Sequence, residues 1–181
     1  MKMFDPFSDR KARNIRNALS SALITELCHE QNRYVDIVAD RWLDEVYEEP
    51  YRSYIIECRV RYGRVLGQIR RQRIEGTRNR AVVLWNFRLF FEMHELLETI
   101  WQRTSGKERD ALKGLIQAAG AYVHLLRGKP EPARKFALRA GQNICKATEY
   151  LSFIGNLDQL LRCLEQLVDP PHQLLHAGSP H

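Results

Sequence analysis

Apolar side chains recur along this chain at three- and four-residue steps, the spacing that gathers them on one side of an α-helix. Ile15, Leu19, Ala22, Leu23 and Leu27 form the first stripe, in a helix opened by Ser8 as N-cap and running to about Gln31. Val35, Val38, Trp42 and Val46 mark a second, from about Arg33 to Tyr47, with Pro50 as punctuation. The segment YIIECRVRYGRVLGQIRRQRIEG carries the period on through Ile55, Cys58, Tyr62, Val65 and Ile69. Its Gly63 and Gly67 weaken the expectation of one unbroken rod. EGTRN then breaks the pattern.

A long helix is predicted from about Arg80 to Arg103, followed by a turn at TSGKE. The next helix spans 107–127 and ends at Gly128, well placed as a C′ residue. Pro130 and Pro132 suit the first turn of a helix that runs to about Ala147. Asn156 caps a last helix, LDQLLRCLEQL, closed by DPP. No stretch alternates with the period of a half-buried strand. The expected fold is all-α: a compact, irregular bundle of antiparallel helix hairpins, with about six to seven helices. Three parts are expected: a basic helical extension over 1–79, a helical bundle over 80–168, and a flexible tail over 169–181.

Composition adds compartment and charge. The 181 residues, 44% hydrophobic and 28% charged, describe an ordinary soluble protein. No apolar run approaches the roughly 18 residues of a membrane span. The start, MKMFDPFSDRKARN, lacks the apolar core of an export signal. A cytoplasmic protein without membrane partners is therefore expected. Cys28, Cys58, Cys145 and Cys163 make no C-x-x-C pair, and each is expected as a reduced, buried thiol.

The net charge of +6 is concentrated. Between Arg52 and Arg80 nine arginines face two acids, Glu57 and Glu75. Arg59, Arg64, Arg70, Arg71 and Arg73 are the candidate basic patch, with nucleic acid, an anionic ligand or an acidic protein as its partner. A solvated helix face is the plainer reading.

The stretch FFEMHELLETIWQR raises a chemical question. On a helical wheel Phe87, Phe90, His94, Glu98 and Trp101 share one stripe, so an imidazole and a carboxylate lie among core aromatics. Gln117, Gly120, Ala121 and His124 form a comparable stripe on the next helix. The short turn makes the two helices antiparallel neighbours. Facing stripes would bring His94, Glu98, Gln117 and His124 together inside an apolar interior. Such groups must satisfy one another or a ligand, because burying them unpaired costs several kcal/mol. A structural polar network, a ligand pocket with an acid–base pair, and a bound divalent metal are the alternatives. His94, Glu98 and His124 have the two-histidine, one-carboxylate composition of an open metal site. His94-Glu95 begins an H-E-x-x-H motif, yet Glu98 occupies the place of its second histidine. Asn86, Glu95, Trp101 and Gln117 complete the candidate ligand contacts. His172, His176 and His181 read as solvated tail residues.

NFRLFFEMHELLETIW followed by LKGLIQAAGAYVHLLRGKPEPARKFALRA resembles the family called domain of unknown function 309, over about residues 80–168. The resemblance rests on Phe91, Glu92, His94, Glu95, Glu98 and Trp101, then Gly114 to Gln117, His124, Arg127 and Gly128. It implies a small helical bundle and supplies no activity. Gly128, Ala133, Ala137 and Ala140 are also similar to the second half of one tetratricopeptide unit, which implies a close helical hairpin with a groove. The favoured function is a non-catalytic module that binds a protein, peptide or nucleic acid, with the buried His/Glu/Gln cluster serving architecture. The alternative is a metal-binding or acid–base enzyme, hydrolase-like, using His94, Glu98 and His124. A homodimer is a further candidate, since Leu89 and Leu96 make the helix apolar on several faces.

Overall fold

A computed structural model describes residues 4–29 and 33–176. Among these are eight α-helices, one more than the upper end of the expected range, and no named strand. Two compact units divide the chain, Met1–Arg73 and Ile74–His181. No described helix is long and apolar enough to cross a membrane.

The first unit holds α1 (Arg10–His29), α2 (Tyr34–Glu45) and α3 (Glu49–Arg71). The stripes expected on α1 and α3 are buried, from Ile15 to Leu27 and from Ile55 to Ile69. α3 is continuous through Gly63 and Gly67. Asp9, not Ser8, caps α1: its Oδ1 accepts the amides of Lys11 and Ala12 at 2.8 and 3.3 Å. Tyr51 donates to the other Asp9 oxygen at 2.7 Å and ties the start of α3 to that cap. The end of α1 expected near Gln31 lies outside the described residues.

Glu26 is the charged group at the centre of this unit. Its carboxylate, 2% exposed, accepts the Val35 amide at 2.7 Å and Arg70 Nη2 at 3.2 Å. One side chain thus holds the first turn of α2 and the last turn of α3 to α1. A buried carboxylate needs such partners, since desolvation without them is heavily unfavourable.

The second unit holds α4 (Thr77–Asn86), α5 (Phe90–Trp101), α6 (Gly106–Leu126), α7 (Pro130–Cys145), a 3₁₀ turn (Thr148–Leu151) and α8 (Leu157–Gln166). The single helix expected over 80–103 is two. Arg88 takes the left-handed conformation at φ 57°, the Arg88 amide bonds Trp85 O, and the Leu89 amide bonds Leu84 O. That pair of bonds is a Schellman end, normally signalled by glycine at the left-handed position. Here arginine occupies it, so the sequence carried no warning. The same motif closes α6 with the expected Gly128, whose φ is +66°.

α6 is the centre of this unit, and antiparallel neighbours pack on it from two sides. Phe90 on α5 stacks on Tyr122 at 5.0 Å, and both rings meet Trp85 edge-on at about 5 Å. On the other side Gly114 and Gly120 admit α7. A Cβ at Gly114 would meet Ile144 Cγ1 at 2.8 Å and the Ile144 backbone nitrogen at 3.0 Å. Ala133, Ala137 and Ala140 are buried on the facing side of α7. This α6–α7 pair is the close hairpin that the small-residue spacing implied.

Two of the four cysteines, Cys58 and Cys163, are buried as expected; Cys28 and Cys145 are exposed and form no disulfide. Both exposed ones sit in the last turn of a helix, away from its buried stripe.

Candidate functional site

The break at Arg88 resets the helical wheel. α5 turns Phe90, Met93, Leu96 and Leu97 into the core, with Leu89 just before them. His94, Glu98 and Trp101 lie roughly a third of a turn away from the centre of that face. The expectation of a buried His/Glu pair is therefore corrected. The side chains of His94 and Glu98 are 29% and 38% exposed and meet at 3.3 Å, Nε2 to Oε1. Phe87, the C-cap of α4, stands outside the α5 stripe altogether.

Glu95 joins this pair. Among the described residues, donor atoms of His94, Glu95 and Glu98 lie within 4.8 Å of one another, a spacing that suits three ligands of one cation. His124 is not in that group. Trp101 lies one turn beyond Glu98, and its indole nitrogen is buried without a hydrogen-bond partner. The Arg109 guanidinium covers its ring at 4.1 Å from the centroid.

The other half of the expected centre faces away from α5. Gln117 Oε1 accepts Asn143 Nδ2 of α7 at 2.7 Å. A Cβ at Gly120 would meet the Phe136 ring at 3.0 Å. His124 packs against that same ring, centroids 5.1 Å apart. Burial, reinforced by the nearby Arg127 cation, lowers the His124 pKa below its ordinary value. Its Nδ1 is buried without a partner. The stripe Gln117–Gly120–His124 thus belongs to the α6–α7 hairpin, and no convergence of all four side chains on one interior point is present.

Asn86 has a different role from the ligand contact expected of it. Its amide makes two bonds to one residue of the chain: Nδ2 donates to Leu174 O at 2.9 Å, and Oδ1 accepts the Leu174 amide at 2.7 Å. Asn156 does much the same from the N-cap of α8, donating to Gln173 O and accepting the Leu175 amide, both at 2.8 Å. The segment expected as a flexible tail from residue 169 is held by these contacts over 172–175.

The arginine stripe is divided between the two units and partly neutralised. Arg59 reaches Asp36 at 2.7 Å and Asp40 at 2.6 Å, and Arg70 reaches Glu26. Arg52 donates to Leu43 O and Val46 O. In the second unit Arg78 pairs with Glu108 and Arg80 donates to Ile74 O. Arg64, Arg71 and Arg73 remain exposed. The charge free to meet a polyanion is smaller than the sequence count.

Sequence reasoning missed a groove between α7 and α8. An open volume of about 580 Å³ is lined by Ala137, Leu138 and Gly141 of α7 and by Leu161, Leu164 and Leu167. Leu138 is 65% exposed at its edge. The signal was present: Leu138 interrupts the outward face of α7 between Arg134 and Gln142. An isolated exposed leucine is too ordinary to act on without the partner helix in view.

Residues 79–136, about a third of the chain, match the family described as Domain of unknown function (DUF309). That stretch runs from α4 through α5 and α6 into the first half of α7. It contains His94, Glu95, Glu98, Gln117 and His124, and stops well short of the residue-168 limit of the resemblance. Comparisons with curated proteins and with solved structures return no match.

Proposed function

Starting from a segment of the DUF309 family, whose description assigns no activity, we propose that this chain is a non-catalytic protein-interaction module. Its docking surface is the α7–α8 groove, and its occupant is an amphipathic helix of a partner protein. The groove carries this reading. Ala137 and Gly141, one turn apart, give it a shallow floor, and a Cβ built on Gly141 would meet nothing within 4 Å. Leu138, Leu161, Leu164 and Leu167 form apolar walls that suit anchors at helical spacing. Arg134 and Glu165 at the margins oppose each other in charge, which favours a helix of mixed charge over a polyanion.

Selection from displayed random peptides against the full chain tests the proposal. Enriched sequences should carry apolar residues at i, i+3/i+4 and i+7, and lose binding to Leu138→Glu and Gly141→Trp chains. Enrichment insensitive to both substitutions, or none, would defeat the reading. Sedimentation that shows a dimer abolished by Leu138→Glu would make the occupant a second copy.

A second reading is favoured by the cluster of His94, Glu95 and Glu98: a divalent cation held on the α5 flank, with coordination positions open to solvent or to a ligand's oxygen. Calorimetric titration of tag-free protein with Zn²⁺ or Mn²⁺ should show binding that His94→Ala and Glu98→Ala remove. Equal heats from all three proteins would end it. Gln117 and His124 pack against α7, which disfavours an acid–base centre shared with His94 and Glu98.

A further inference from the structure

Residues 172–175 are bound almost entirely through their main chain. Trp85 Nε1 donates to His172 O at 3.0 Å, and the His172 amide bonds Cys163 Sγ at 3.3 Å. Asn86 takes both polar groups of Leu174, Asn156 takes Gln173 O and the Leu175 amide, and the Gly155 amide donates to Leu175 O at 2.8 Å. Every carbonyl from 172 to 175 accepts a hydrogen bond from a group that belongs to α4, to the turn before α8, or to the N-cap of α8. Only one side chain of 172–175 is buried, Leu174 at 2% exposure. The backbone comes so close that a Cβ on Gly155 would lie 3.2 Å from His176 O.

We propose that this arrangement is a peptide-binding cleft occupied by the chain's own residues 172–176, and that it accepts in their place an extended peptide from another protein with leucine at the Leu174 position. The cleft reads backbone amides in fixed register. It therefore tolerates varied side chains at the exposed places and excludes proline where the Leu174 and Leu175 amides donate. Specificity comes from the single pocket that buries Leu174. Trp85 is itself buried, so its indole N–H requires a carbonyl or water in the cleft whenever the strap leaves. Asp169 and Pro170, just before the strap, are exposed, and neither proline of Pro170–Pro171 has an amide to donate.

Two measurements on the full chain test it. In the wild type, amides of Leu174 and Leu175 should exchange at least tenfold faster than those of Leu115 and Tyr122 in α6, because the strap opens without global unfolding. Equal rates would overturn the proposal. A fluorescent hexapeptide PHQLLH should bind a Leu174→Glu chain, whose own strap is displaced. It should bind the wild type at least tenfold more weakly, since the tethered segment competes at high effective concentration. Peptides with Glu or Pro at the first leucine, and a chain with Asn86→Ala added, should not bind. A Leu174→Glu chain with wild-type circular dichroism and no affinity for the hexapeptide would also overturn it. If that variant is unfolded, the exchange rates decide.

Discussion

Asn143 on α7 donates to Gln117 on α6 across 2.7 Å, and that bond settles which way the polar stripe of α6 points. An amide engaged with α7 is not available to His94 on α5. The histidines expected to share a centre are consequently on different flanks, His94 beside Glu98 and His124 against Phe136.

Double-mutant cycles should separate these two neighbourhoods. Gln117→Ala and Asn143→Ala should couple by about 1 kcal/mol in urea unfolding, as a part-buried neutral hydrogen bond does. His94→Ala should cost under about 1 kcal/mol alone, the ordinary worth of a solvent-accessible side-chain contact. It should add to Gln117→Ala without coupling. A coupling above about 1 kcal/mol between 94 and 117 would restore the shared centre.

Acidification should weaken the fold through His124. Its pKa falls below 6.5 in the folded chain, so the unfolded chain binds more protons as pH drops. Stability is complete above 6.5, declines as pH falls from there toward the lowered folded value, and levels off below it. Thermal melts of His124→Met across that window should show a shallower decline. Part of the slope should persist, because burial lowers the His176 pKa as well.

Two helical glycines should respond with opposite sign to alanine. Gly63 in α3 has open space where a Cβ would stand, so Gly63→Ala should stabilise by about 0.5–1 kcal/mol through helix propensity alone. Gly114→Ala should destabilise by about 1–3 kcal/mol, since the new carbon meets the α7 backbone and Ile144. Chemical unfolding of the two variants, side by side, checks the contrast.

Glu26→Ala should destabilise the first unit by about 3 kcal/mol, because it strands the Val35 amide and removes the partner of Arg70. Hydrogen exchange should show the loss in α1, α2 and α3. An unchanged protection pattern would mean that the carboxylate contributes nothing to holding them.

Much of the helix inventory was readable along the chain. Ile15 to Leu27 and Ile55 to Ile69 are buried as their spacing required, and Gly128 ends α6. The division of 80–103 was not readable, because Arg88 adopts a conformation that sequence patterns associate with glycine. The candidate site went astray for another reason: His94, Glu98 and Trp101 do share one side of α5, but Met93, Leu96 and Leu97 centre the buried face elsewhere, so that side is the flank of the helix. Asn86 and Asn156 were visible as polar residues at helix ends, yet their true partners lie 88 and 19 positions later in the chain.

Local periodicity by itself established that the chain is helical, where most of its helices run, and which small residues permit a tight hairpin. Those properties depend on side-chain size and spacing within a few turns, so a linear reading reaches them. Which flank each polar group faces was decided by packing. α6 has two neighbours, and the choice between them for Gln117 and His124 depends on where Asn143 and Phe136 arrive after the chain has turned back. The α7–α8 groove and the seat of Leu174 are tertiary for the same reason. Each is made of surfaces that are unremarkable alone and acquire chemistry only when a distant segment is laid beside them.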